Sequence, residues 1–459
     1  MRELRLGLQL GLFQLSLGIL GVLILGLLNR LLIQDIQLPA ALAALAIGGQ
    51  QLMGFTRIWF GNWSDRIPLS RLRRTPFIVV SVLALAILFG LAGNVVLALA
   101  RGMQGRTLGD VTPWIALLVL VFVAIGTAVA AGGTAFSALI ADRTTEEERP
   151  RVLSVVWGMR LMGVLVGSVL VNQVFGSACD AGAGRADVLA GLERLTVVAP
   201  VLISALGLLS VLGVERRTSE LTFSTTTTVE QPQRLALIQL LDRLRSIPQA
   251  GRFMGVLCLF TFSMFLNDAV LEPYGAAVFG MSVCATTSLN VLVAIGFFGG
   301  LALSGFVLIQ RFGTIRIARV GAFLASSALT LMLLAGTDAS IPLLRVAVTF
   351  FGLSFGVCIN ACFALMFSFV QPGRTGFLLG IWGAGYAYSS GLAIISGGGL
   401  LTLLQTVNGG DAYGACGGVF GLQMICFVGA AWLTGRLDVA RFRSKVRTRL
   451  CNVMELNLD

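Results

Sequence analysis

No histidine occurs anywhere in the 459 residues. Its absence removes the commonest metal ligand and the side chain that most often relays protons near neutral pH. A nucleophile activated by histidine is excluded with it. The chain also has no glycine-rich phosphate loop and no metal-ligand spacing, so no enzyme and no dedicated metal site are expected. Any hard metal ion would have to take oxygen from Asn, Gln, Asp, Glu, a carbonyl or water. Lysine is almost missing too: Lys445 is the only one, so arginine carries nearly all the positive charge. The eight cysteines are scattered. Cys358 and Cys362 share a helix face and read as small core residues. Cys179 and Cys416 would both fall on the outer side, which leaves a disulfide between them open.

Charge is scarce overall. Only 12% of residues are charged and 56% are hydrophobic, with a mean hydropathy of +0.89. That balance describes an all-α polytopic membrane protein. At roughly 20 apolar residues per crossing there is room for about twelve helices. The apolar runs predict spans at 6–29, 40–60, 76–99, 113–140, 152–175, 195–214, 252–279, 284–310, 316–336, 341–370, 376–404 and 413–435. Leu6–Leu28 is long enough to span, and no small-residue cleavage site follows it, so it is not read as a signal peptide. Arginines gather in alternate loops, among them Arg66, Arg71, Arg73, Arg74, Arg216, Arg217, Arg243, Arg245 and the tail from Arg436 to Arg449. By the positive-inside rule both termini are then cytoplasmic. The same rule accounts for the net charge of +11 without nucleic acid as a partner.

The longest hydrophilic interruption, 215–250, contains Ser224–Thr228 (S-T-T-T-T) and reads as a linker. It separates an N-terminal six-helix half (1–214) from a C-terminal one (251–435), followed by a basic tail (436–459). Two six-helix halves around a cytoplasmic loop resemble the architecture of the major facilitator superfamily. Between the second and third spans, Gly61–Pro76 (G-N-W-S-D-R-I-P-L-S-R-L-R-R-T-P) is similar to the loop pattern of that superfamily. Gly61 would allow close helix packing, and Asp65 would face the positive N-terminus of a neighbouring helix. Arg66, Arg73 and Arg74 would pair with acids or lipid headgroups. The resemblance implies a latch that holds one conformation. The corresponding stretch of the second half, Gly305 and Gln310–Gly313, is degenerate, with Ile309 in the place of Asp65. The proline of the antiporter motif is missing from span five, where Gly163-x-x-x-Gly167 suggests helix packing instead.

The most unusual stretch is Phe262–Gly275 (F-S-M-F-L-N-D-A-V-L-E-P-Y-G). A helix would set Asp268 and Glu272 on one face, and Pro273 and Gly275 should break or kink it there. Ionisable groups at membrane depth mark functional sites, although Glu272 near the far end could simply be solvated by headgroups. Other isolated polar residues at membrane depth are Gln14, Asn267, Asn290 and Asn360. Arg57 is expected to snorkel to the surface, with a buried ion pair as the alternative. Arg160 is expected to pair in the loop with Glu146, Glu147 or Glu148, and Asp142 to cap a helix.

Several of these segments together resemble the PucC/LhaA-type proteins, the bacteriochlorophyll delivery family. They are Gln50-Gln51 with Arg57 and Gly61-x-x-Ser64-Asp65; Ala138–Arg151; Trp157-Gly158-Met159; and Asp268-x-x-Leu271-Glu272-Pro273-Tyr274-Gly275. The resemblance implies an assembly factor for light-harvesting or photosystem complexes in a bacterial photosynthetic membrane, thylakoid or (intra)cytoplasmic. The implied cargo is chlorophyll or bacteriochlorophyll, non-covalently bound. The implied partners are light-harvesting or photosystem subunits and chlorophyll-synthesis enzymes. Candidate pigment or substrate contacts are Asn267, Asp268, Glu272, Tyr274, Asn290 and Asn360; an apolar pocket with a few oxygen ligands would suit a magnesium macrocycle. Two alternatives remain open: a proton-coupled transporter of a small or amphipathic solute, and a scaffold that no longer translocates.

Overall fold

A computed structural model describes residues 2–28, 31–32, 50, 53–66, 72–102, 108–175, 185–215, 249–268, 270–281, 283–370, 375–408 and 411–438. Among them, ten helices are long and apolar enough to cross a membrane, and Ala250–Phe265 is a shorter apolar helix. The predicted span 40–60 lies largely outside the described residues, as do the linker beyond Glu215, Cys179 and the basic tail past Asp438.

Two compact units emerge: Met1–Arg216 with Thr375–Ala384, and Arg217–Arg374 with Gly385–Asp459. In the first unit the helices are α1 (Arg2–Gly21), α2 (Thr56–Arg66), α3 (Thr75–Gly102), α4 (Leu108–Arg143), α5 (Arg149–Phe175) and α6 (Arg185–Val211). α1 packs on α5 and α6, α3 on α4 and α6, and α2 on α4. Glycine sets the tightest crossing. A Cβ on Gly163 would sit 2.2 Å from the Leu15 carbonyl oxygen, and one on Gly18 would sit 2.2 Å from that of Arg160. Small residues thus let two backbones touch where membrane helices gain their packing energy.

The second unit holds α7 (Ala250–Phe265), α8 (Leu271–Phe279), α9 (Val283–Leu303), α10 (Thr314–Thr337), α11 (Ile341–Ser368) and α13 (Ala412–Thr434); α12 (Thr375–Val407) gives its first ten residues to the other unit. α9 continues through a π-helical stretch, Ser304–Leu308. α9 and α11 cross through facing Gly-x-x-x-Gly pairs. Cβ atoms on Gly296 and Gly300 would each lie 2.0 Å from a carbonyl oxygen of α11, and those on Gly352 and Gly356 would lie 2.2 and 2.3 Å from carbonyl oxygens of α9.

The seventh predicted span is broken, one of the two outcomes expected of Pro273 and Gly275: α7 ends at Phe265 and α8 begins at Leu271. Proline cannot donate to the carbonyl four residues back, and its ring collides with that carbonyl. The helix therefore gives way on the N-terminal side of Pro273, which sits in the first turn of α8, where no donor is needed. Asp268 lies in the turn and Glu272 in the new helix, so the two acids do not belong to one continuous helix. Gly280, at φ 63°, ends α8 in the left-handed conformation that glycine adopts without steric penalty.

Candidate functional site

The loop residues converge in the first unit. The second half of α2 delivers Gly61, Ser64 and Asp65, and the residues just before α3 bring Arg73 and Arg74. The Arg74 guanidinium is 2.6 Å from Asp65 Oδ1, with the two side chains only 3% and 4% exposed. Arg74 Nη1 also donates to Ser64 Oγ at 2.6 Å, and Nε to Asp142 Oδ2 at 3.1 Å. Arg73 donates to the Asp65 carbonyl. Asp65 accepts two further bonds, from Gly376 N at 3.0 Å and Phe377 N at 2.8 Å, the first free amides of α12. The carboxylate therefore sits on the positive end of a helix dipole, as its position in the loop pattern implies. Close approach requires the glycines: a Cβ on Gly61 would stand 2.1 Å from the Gly376 carbonyl oxygen.

Glu215, the first residue of the stretch read as linker, is part of the same network. Its carboxylate accepts from Arg73 N at 2.7 Å, from Arg74 N at 3.0 and 3.1 Å, and from Thr75 N at 2.7 Å. One acid thus caps α3 and fixes the backbone from which Arg74 projects. Its signal in the sequence is a lone acid directly after an apolar run. Glu215→Ala is expected to lower stability by about 0.5–2 kcal/mol, and Glu215→Gln to restore only part of it, because one of the two accepting oxygens becomes a donor that faces backbone N–H groups. Thermal unfolding in mild detergent measures this, and an unchanged midpoint for the alanine variant would refute the cap.

Three expectations for this unit are corrected. Asp142 pairs with Arg74 rather than capping a helix; the turn before α5 is held instead by Thr145 and Glu148, bonded reciprocally. Arg57 does not snorkel. Its Nε is buried, and its side chain lies between Gly133 of α4 and Gly383 of α12, whose added Cβ atoms would come 3.4 and 3.3 Å from it. Arg160 lies about 16 Å along α5 from Arg149 at 1.5 Å per residue, beyond the loop acids, and its Nη1 donates to Gln14 Oε1 at 3.0 Å. The Arg66 side chain lies outside the described residues.

In the second unit the break between α7 and α8 gathers a different set. Asn267 is 3% exposed, and its carbonyl accepts from Val270 N and Leu271 N at 2.9 and 3.0 Å, closing the turn. Gln423 of α13 donates from Nε2 to the Ser263 carbonyl at 2.7 Å and to Asn267 Oδ1 at 3.3 Å. Gln423, an isolated amide in an apolar span, carried the same sequence signal as Asn267 and was missed. The Leu266 carbonyl rests on α12, where a Cβ at Gly397 would lie 2.2 Å away. Asp268 is exposed in the turn, and the Glu272 side chain lies outside the described residues. Tyr274 is fully buried. Its hydroxyl donates to the Met332 carbonyl at 2.8 Å, and its ring meets Phe279 and Phe420 edge-on. Asn360 donates to Ser304 Oγ at 2.9 Å, at the start of the π-helical stretch; Asn290 is exposed on α9. Cys416 is a buried free thiol.

Residues 27–442 match the family described as PUCC protein. The chain belongs to the PucC family. Among relatives of this PucC-family chain is the "Bacteriochlorophyll synthase 44.5 kDa chain" of Rhodobacter capsulatus, 29% identical over 456 residues, 96% of this chain and 97% of that protein. "Protein PucC" of Cereibacter sphaeroides is 27% identical, covering 90% of this chain and 86% of the relative. Among solved structures, a bacterial homologue of the iron transporter ferroportin in an outward-facing state superposes with a TM-score of 0.68 at 15% identity, over 94% of this chain and 99% of that one. The major facilitator superfamily proton:xylose symporter XylE reaches 0.64 at 14% identity, over 94% and 95%. At that identity the likeness establishes the fold: this PucC-family chain is an integral membrane protein of the major facilitator type.

Proposed function

We propose that this protein is a non-enzymatic assembly factor for light-harvesting or photosystem complexes in a bacterial photosynthetic membrane. In this reading it binds or delivers (bacterio)chlorophyll to nascent pigment-proteins and meets chlorophyll-synthesis enzymes on the way. The observation that carries the reading is the PucC-family match over residues 27–442, with a relative named for bacteriochlorophyll synthase along nearly the whole chain. The broken helix supplies the contact region, because non-helical backbone at membrane depth is tolerated where it lines a cavity or is buried in protein. The Asp65–Arg74 network acts as a latch on one conformation.

The test is an absorption spectrum of the protein purified in mild detergent from its own membrane, beside Asp268→Asn and Glu272→Gln. Stoichiometric chlorophyll that falls in either variant is the expected result. A colourless protein without pigment-protein partners would overturn the assembly role. The exposed carboxylate of Asp268 beside the break favours one second reading, a proton-coupled transporter. That reading expects uptake into vesicles to be abolished by Asp268→Asn.

A further inference from the structure

The α1–α5 crossing carries a cationic group that belongs neither to the latch nor to the broken helix. Its depth can be read from an internal ruler. Glu3 and Arg151 form an ion pair at 2.9 Å where the two helices begin. Gln14 and Arg160 lie about 16 and 13 Å further along their helices at 1.5 Å per residue, close to the half-thickness of a hydrocarbon core of about 30 Å. A guanidinium at that depth marks a ligand or ion pathway by default.

The surroundings are built rather than incidental. Arg160 Nη1 donates to Gln14 Oε1 at 3.0 Å, and the guanidinium carbon lies 5.7 Å from the centre of the Trp157 ring. Gly11, Gly18 and Gly163 bracket the pair; Cβ atoms there would sit 2.5 Å from Met159 Cγ, 2.2 Å from the Arg160 carbonyl oxygen and 2.2 Å from the Leu15 carbonyl oxygen. The backbones that carry the pair are therefore in contact on either side of it. Gln14, Trp157 and Arg160 are all half-buried, and Val164, on the same face of α5 as Arg160, is exposed together with Leu165. A planar fork of donors suits a carboxylate, an indole suits a flat ring, and the following turn offers an apolar wall.

We propose that Gln14, Trp157 and Arg160 anchor the carboxylate arm of an amphipathic, flat-ringed acid, whose apolar body lies along α5. This inference rests on the pigment reading and adds to it: chlorophyll, whose acid arm is esterified, offers this anchor no carboxylate, so the site takes the free-acid tetrapyrrole that precedes the ester.

The experiment titrates the full chain in mild detergent with chlorophyllide and, separately, with chlorophyllide methyl ester, following the pigment's absorption band. The wild type is expected to bind the acid about ten-fold or more tighter than the ester, the scale of one charge-assisted contact. Arg160→Gln should bring the ratio close to one, and Gln14→Leu should reduce it. Equal binding of acid and ester by the wild type overturns this inference and leaves the pigment reading standing. An acid preference that survives Arg160→Gln also overturns it. Failure of both probes to bind overturns this inference, and chlorophyll itself, titrated beside them, decides the pigment reading separately. Should Arg160→Gln not purify folded, the wild-type ratio and the Gln14→Leu variant decide.

Discussion

Asp65→Ala is expected to destabilise the protein by about 3–5 kcal/mol, because it strands the buried Arg74 guanidinium. Exposed ion pairs contribute little, but both members of this pair are at most 4% exposed. Asp142 cannot replace Asp65, since its side chain is 43% exposed and solvent screens it. The same substitution uncaps α12 at Gly376 and Phe377. Asp65→Asn should fare little better: one side-chain oxygen becomes a donor, facing either Arg74 or the amides of α12. Thermal unfolding of Asp65→Ala, Arg74→Met and the double variant forms the cycle that isolates the pair. A strong coupling is expected, with Arg74→Met partly rescuing Asp65→Ala. Additive effects would show that the pair does not act as a unit.

Gly376→Val carries the second large effect. Its Cβ would lie 2.6 Å from the Gly61 carbonyl oxygen, 2.7 Å from Ser64 Oγ and 2.9 Å from Arg74 Nη1. The first neighbour is backbone and the other two are held by short hydrogen bonds, so relief requires α12 to move away. That motion breaks both bonds from α12 to Asp65. Overpacking costs about 1–3 kcal/mol, and lost charge-assisted bonds add about 1.5–3 kcal/mol. The control is Gly391→Ala on the same helix, where a Cβ meets nothing within 4 Å; it should be neutral or slightly stabilising. Unfolding midpoints that fall equally for the two variants would mean that the close crossing at Gly376 does not set the outcome.

Much of the Asp65–Arg74 network was legible because its parts lie close in sequence. Gly61, Asp65, Arg73 and Arg74 sit on one loop and its flanking turns, and the loop pattern states their spacing. Glu215 and Gly376 were not legible as members. They arrive from segments 140 or more residues away, and nothing in their local sequence says which helix end they will meet. In the broken helix, Pro273 announced a disruption. Its location on the N-terminal side of the proline follows from the backbone rule that proline tolerates a first turn and not a helix interior.

The sequence by itself determined that the chain crosses a bilayer repeatedly, that it lacks the groups for histidine-dependent chemistry, and where most crossings begin and end. Those properties are local sums of apolar and charged residues. Only the tertiary structure decided the partners: Arg160 with Gln14 rather than a loop acid, Asp142 with Arg74, Gln423 with Asn267, and Arg57 turned inward between Gly133 and Gly383. Pairing depends on which helices cross and at what height. Glycine stripes set both, by allowing backbones to approach until carbonyls meet α-carbons.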